Sequence, residues 1–213
     1  MSSAAWTFGA VFVAAASADW WSRWRDLRRV EVWSKPLALV ALIGVAVSID
    51  PADPDVRAWF VAALVASLAG DVFLLGDDRY FLAGLASFLL AHVLYTIGFL
   101  VAPDWRWVGI VLAAPAMAAL VLTIGRRIVR AAGERAPALR GPVAAYLAVI
   151  STMAVTAAAA GDGWAIVGAA LFVVSDTILG WRQFVRADRW MSPAVMITYH
   201  LGQAGLVLSL LGS

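Results

Sequence analysis

Asp71 lies inside the apolar run Ala58–Leu75 and Asp176 inside Gly163–Trp181, each a little over one helical turn before its run ends. The chain's two histidines, His92 and His200, lie in the hydrophobic segments that follow those runs. A charge at the centre of a membrane span costs about 2.5–3.5 kcal/mol on insertion scales, so an ionisable residue there is a functional-site candidate by default. Two carboxyls in a poorly hydrated place suit acid–base work, because one can hold a proton while the other stays ionised. The plainer reading is interhelical hydrogen bonding by structural polar residues. Two acids at matched positions, each beside a small residue (Gly70, Ser175) that lets helices approach, favour chemistry over glue.

Other polar residues follow the two aspartates. His92 and Tyr95 are three apart and share a helix face. Tyr199 and Gln203 are four apart, with His200 turned by about 100° from Tyr199. Their placement points to contacts with substrate or water. Two Asp and two His are also a conceivable metal set, but they lack the i, i+4 spacing of a compact His-containing motif. We expect no metal and no organic cofactor. There is no Gly-x-Ser-x-Gly elbow for a serine nucleophile and no phosphate-cradling Gly-rich loop.

The elements that must position these residues are membrane helices. The 213 residues are 63% apolar and 14% charged, with no cysteine, so disulfides and thiolate metal sites are excluded. Apolar stretches of about 20 residues recur, as in a polytopic membrane protein. Eight spans are expected: Ala4–Trp20, Lys35–Ile49, Ala58–Leu75, Tyr80–Val101, Trp107–Gly125, Pro142–Ala160, Gly163–Trp181 and Met191–Leu211. The fold class is all-α, a single eight-helix transmembrane domain over 1–213. Ala16-Ser17-Ala18 resembles a signal-peptide cleavage site, but no Lys or Arg precedes the apolar stretch before it, so an uncleaved first helix is expected. All eleven tryptophans fall at span ends or in connections, matching the interfacial aromatic belt.

Loop charge sets the orientation. With the N-terminus outside, inner connections hold 14 of the 16 Lys and Arg, leaving Arg57 and Arg106 outside. The positive-inside rule then puts both termini outside. It also accounts for the net charge of +2 better than nucleic-acid binding does, and no nucleic-acid partner is expected. Asp71 and Asp176 come to lie in the inner half, facing a cavity reached from the cytoplasmic leaflet. The halves rhyme: Gly70-Asp71 precedes a span with His92 and Tyr95, and Ser175-Asp176 precedes one with Tyr199 and His200. A parallel four-plus-four repeat over 1–105 and 106–213 would preserve orientation and bring the aspartates to similar depth. Chance alignment of Ala-rich helices is the other reading.

Beyond these residues the chain resembles the YhhN-type membrane proteins, whose eukaryotic relatives are lysoplasmalogenases. The resemblance rests on Lys35-Pro36-Leu37, Gly70-Asp71-Val72-Phe73-Leu74-Leu75, then Phe81, Gly84, Phe88, His92 and Tyr95, then Ser175-Asp176 and Tyr199-His200-x-x-Gln203. The family commonly has Tyr-Tyr-x-x-Gln in the last motif, so His200 departs from it. The resemblance implies a hydrolase of the cell (inner) membrane that cleaves the vinyl ether bond of a lysoplasmalogen, releasing a fatty aldehyde and a glycerophospho-alcohol. It implies Asp71 and Asp176 as the catalytic pair. His92, Tyr95, Tyr199, His200 and Gln203 would contact substrate or water, and Lys35 the lipid phosphate. The alternatives are a proton-coupled lipid or small-molecule transporter, a metal-dependent intramembrane lipid hydrolase, and a structural membrane protein.

Overall fold

The structure, a computed structural model, describes residues 2–76, 78–102 and 105–212. The described residues contain no strand. The long helices are α1 (Ser3–Arg25), α2 (Arg28–Ser48), α3 (Pro54–Leu74), α4 (Phe81–Val101), α5 (Trp107–Leu120), α6 (Arg126–Arg135), α7 (Arg140–Ala160), α8 (Gly163–Phe184) and α9 (Met191–Leu208). A π turn, Val121–Gly125, joins α5 to α6 in one rod, giving eight rods among the described residues. Seven of the rods are long and apolar enough to cross a membrane; the 23-residue α1 is not among them. The protein is a polytopic helical bundle.

Local sequence sets the boundaries. Ser2 caps α1, its Oγ accepting the Ala5 N–H at 3.1 Å, and Asp26 ends it in the left-handed region (φ 57°). Asp53 caps α3 ahead of Pro54, and Asp162 caps α8 by accepting the Ala165 N–H at 2.8 Å. An Asx cap followed by proline at the first helical position is pre-organised for helix initiation.

Two expected boundaries are corrected. The second span was expected to open at Lys35, but α2 begins at Arg28, which puts Lys35 about two turns inside the helix. Proline removes one backbone donor, and a membrane helix tolerates that when neighbours satisfy the freed group. Pro36 therefore sits within α2 rather than starting it. The fifth span was expected to end at Gly125 and give way to a basic loop, but the helical rod continues to Arg135. Ile128 and Ala132, one turn apart, bury a narrow apolar face with Val143, while the arginines point outward. Helicity and membrane hydropathy part company there.

Seven helices close a ring in the order α1, α2, α3, α4, α7, α8, α9 and back to α1, while the α5 half of the rod packs outside against α7. None of the α5 residues is buried. In contrast, α9 also touches α2 and α3 and buries most of its length. Its close fit to α8 needs glycine: a Cβ on Gly168 would stand 2.7 Å from the Leu206 nitrogen and 2.9 Å from the Gly202 oxygen. This backbone contact holds the N-terminal half of α8 against the C-terminal half of α9. About two turns further along α8, the Ser175 hydroxyl donates to the Val195 carbonyl at 3.0 Å.

Candidate active site

The last turn of α3 brings Asp71 into the ring, and α8 brings Asp176. Both line one cavity of about 160 Å³. Asp71 is fully buried between α2 and α9: Lys35 Nζ stands 3.0 Å from its Oδ1, and the Tyr199 hydroxyl donates to its Oδ2 at 2.9 Å. Asp176 has a different shell. The Tyr146 hydroxyl of α7 donates to its Oδ2, and His92 Nε2 of α4 lies 3.5 Å from the same oxygen. The His92 Nδ1 is 2.5 Å from the Phe88 carbonyl. A carbonyl can only accept, so Nδ1 carries a hydrogen and Nε2 is the nitrogen that faces Asp176. One carboxyl therefore sits against an ammonium and a phenol, the other against a phenol and an imidazole.

His92 and the remaining expected site residues, Tyr95, His200 and Gln203, are not part of the cavity wall. Tyr95 donates to Gln203 Oε1 at 2.5 Å, both fully buried, tying α4 to α9. Gln203 is one turn below Tyr199 on α9, and the bond holds that helix in the rotation that aims Tyr199 at Asp71. His200 turns away from the cavity. The Trp20 indole N–H donates to its Nδ1 at 3.0 Å, and Phe12 packs edge-on against the ring. Tyr95, Gln203 and His200 thus brace α9.

Four residues that matter to the cavity were absent from the expected set. Tyr146 was legible as one of only four tyrosines, within an otherwise weakly polar span. Asp19 is fully buried near the C-terminal end of α1, with Ser34 Oγ 3.5 Å and Arg23 Nε 3.8 Å from its Oδ1. Its position near the end of the expected first span, Ala4–Trp20, made it look interfacial. Arg23 and Arg182 line the cavity wall, though in sequence they read as ordinary inner-loop charge.

An apolar annex of about 50 Å³ adjoins the polar cavity. Leu85, Leu120, Ile128, Val143 and Ile150 are among its walls, and it shares Leu74, Phe81, Phe88 and Asp176 with the polar cavity. A much larger groove, about 1050 Å³, opens between the α5–α6 rod, α7 and α8. It reaches neither aspartate, so the smaller cavity is the candidate site. Among the described residues no three His, Asp or Glu converge as a metal site would need.

Comparison with known proteins gives curated relatives named lysoplasmalogenase. The chain is 31% identical over 153 residues to the lysoplasmalogenase TMEM86B of Homo sapiens, covering 71% of this chain and 62% of that protein. It is 33% identical over 158 residues to TMEM86B of Rattus norvegicus, covering 73% and 63% respectively. To the human lysoplasmalogenase TMEM86A it is 30% identical over 173 residues, covering 74% and 67%. The chain thus spans a little over three fifths of the length of the TMEM86B relatives it matches. No solved structure matches it. The YhhN family matches residues 30–210, which take in Lys35, both aspartates and the whole of α9, and the chain belongs to that family.

Proposed function

We propose that this protein hydrolyses the vinyl ether bond of a lysoplasmalogen, with Asp176 as general acid and Asp71 as the carboxylate that stabilises the cation and accepts a proton. The relatives' activity supplies the reaction class. The observation that carries the reading is the place of Asp176, on the boundary between a polar cavity and an apolar annex. In a lysoplasmalogen the vinyl ether occupies the same kind of boundary, with the aliphatic chain on one side and the glycerol phosphodiester on the other. The annex takes the first methylenes, the polar cavity takes the glycerol, and the reacting carbons fall between the two carboxyls.

The asymmetric shells divide the labour. Lys35 beside Asp71 favours its anion. Asp176 faces no ammonium, only Tyr146 and His92, and keeps a proton at lower cost. Asp176 delivers that proton to the β-carbon as the C=C electron pair forms the new C–H bond, leaving an oxocarbenium ion at the α-carbon. The Asp71 carboxylate opposes that positive charge, as the second carboxylate does in glycoside hydrolysis. Water adds to the α-carbon and loses one proton to Asp71. The hemiacetal then gives its hydroxyl proton back to Asp176 while the C–O bond to glycerol breaks. The glycerol oxygen takes the proton held by Asp71. The products are one aldehyde and one alcohol, and both carboxyls return to their starting states.

The test is to incubate the purified protein with a synthetic 1-alkenyl-glycerophosphoethanolamine and trap free aldehyde. The wild type releases aldehyde. Asp71→Asn and Asp176→Asn each lower turnover about 10²–10⁴-fold, the range typical of a positioned acid or base, while staying folded and membrane-inserted. Aldehyde-free wild type overturns the activity, and near-wild-type Asn variants overturn the assignment of the pair. We further place the protein in a bacterial-type inner membrane with both chain termini outside, on the 14-to-2 split of basic residues. Met1 and Ser213 themselves lie outside the described residues.

A further inference from the structure

The cavity wall carries three cations, Arg23, Lys35 and Arg182, and two of them are already matched. Lys35 is spent on Asp71 at 3.0 Å. Arg23 Nη2 pairs with Glu31 Oε1 at 3.0 Å, and its buried Nε lies 3.8 Å from Asp19 with no hydrogen-bond partner. Arg182, near the inner end of α8, has no carboxylate within ion-pair distance among the described residues. It shares the wall with Ser192 and Gln183. Inner-leaflet topology alone would account for an arginine here, as it does for Arg186, which is largely exposed and pairs with Asp188 at 3.0 Å. Arg182 instead lines the same cavity as the two aspartates.

We infer that Arg182, with Arg23 beside it in the same cavity wall, forms a phosphate-ester subsite that binds the substrate's phosphodiester and so selects phosphate-headed lipids over neutral ones. This inference rests on the proposed reading of the cavity for the identity of the lipid. A phosphodiester carries one negative charge, which balances the one unmatched cation. Planar guanidinium groups meet phosphate oxygens through two parallel N–H donors, giving orientation as well as affinity. Only the three glycerol carbons separate the ether oxygen from the phosphate ester oxygen in such a lipid. A phosphate held at the cavity mouth therefore fixes the depth at which the vinyl ether meets Asp176. The assignment transfers to Arg182 the phosphate contact that the sequence resemblance places at Lys35.

The experiment compares kcat/KM for a 1-alkenyl-glycerophosphocholine with that for 1-alkenylglycerol, which lacks the phosphate. The wild type prefers the phosphodiester, and Arg182→Gln reduces that preference at least 10-fold, mainly through KM, with Arg182→Lys intermediate. Arg186→Gln, outside the cavity, leaves the preference as it is. An unchanged preference in Arg182→Gln, or an equal drop in Arg186→Gln, overturns the subsite. A binding arm is independent of turnover: native mass spectrometry of the purified protein with 1-alkyl-lysophosphatidylcholine against 1-alkylglycerol. Retention of the phosphate-headed lipid that is at least 10-fold weaker in Arg182→Gln supports the subsite even if the wild type releases no aldehyde; in that case only the hydrolase reading falls. Equal retention of both lipids by the wild type overturns it. If inorganic phosphate displaces the lipid as well as glycerophosphocholine does, the site holds free anions and the headgroup assignment is overturned.

Discussion

Asp71 and Lys35 face each other in a place with little water, and that fixes what each can tolerate. Removing one partner of a buried ion pair leaves an uncompensated charge and typically costs about 3–5 kcal/mol. Lys35→Met is therefore expected to lower the unfolding midpoint of the detergent-solubilised protein strongly. Adding Asp71→Asn on that background should recover most of the loss, because the orphaned charge is gone. A Lys35→Met protein as stable as wild type would mean that Asp71 is not held as an anion, and its role as the base would fall. On the other side of the cavity, Tyr146→Phe deletes one hydrogen bond to Asp176 without changing the ring. A hydrogen bond to a charged group contributes about 1.5–3 kcal/mol, so kcat should fall about 10- to 100-fold wherever Asp176 becomes an anion in the rate-limiting step. An unchanged kcat would remove Tyr146 from the reaction. The two aspartates could be read from sequence because a charge inside an apolar run is conspicuous. Tyr146 was visible only as a rare tyrosine, and its contact was not, because a phenol is at home in a span and its partner comes from another helix. Lys35 was legible as a residue but not as a contact: Pro36 disguised a helix interior as a helix start.

At the scale of elements, the site depends on how closely α8 and α9 approach. A Cβ at Gly168 would meet backbone atoms of α9, which have no side-chain rotamer to yield. Gly168→Val should push the two helices apart, costing about 1–3 kcal/mol as overpacking does. It should also lower activity through Tyr199 and Ser175, which span the same seam. Gly9→Ala is the matched control, since a Cβ there meets nothing within 4 Å, and it should behave as wild type in both unfolding and turnover assays. Equal stability of the two variants would show that the seam is looser than described. Helix existence and order were legible from apolar periodicity, whereas this contact was not. Glycine in a membrane span reads the same whether it faces lipid or a neighbouring backbone. The α6 extension was hidden for a different reason: ten residues rich in arginine look like a loop to any measure of mean hydropathy, although Ile128 and Ala132 are spaced to bury one face.

The whole molecule is a ring of seven helices with the α5 half of the rod outside, and its symmetry is partial. Contacts of α4 with α7 and of α9 with α2 are the pair a four-plus-four repeat would relate. The contact of α1 with α9 has no counterpart of comparable extent between α5 and α4. The repeat thus remains a proposal, with α5 as the element that departs from it. Orientation is the property on which the whole reading turns, since it decides which leaflet feeds the cavity. The chain has no cysteine, so one introduced thiol reports one position without background. With both termini outside, Ser2→Cys and Trp105→Cys should react with an impermeant maleimide on intact cells, and Ala136→Cys and Ala187→Cys only after the membrane is opened. Trp105 and Ala187 are exposed in the structure, so silence at either reflects sidedness rather than burial. The α1 helix gives the Ser2 result particular weight. Its sequence carries Asp19, Arg23 and Arg25 and falls short of the other seven in apolarity, yet it closes the ring between α2 and α9. If such a helix crosses, its insertion is sustained by its neighbours, with the buried Asp19, and Arg23 beside it, turned toward them. If Ser2→Cys labels only after permeabilisation while Trp105→Cys labels on intact cells, α1 does not cross. The part of the cavity wall formed by Arg23 would then belong to a helix lying at the inner surface.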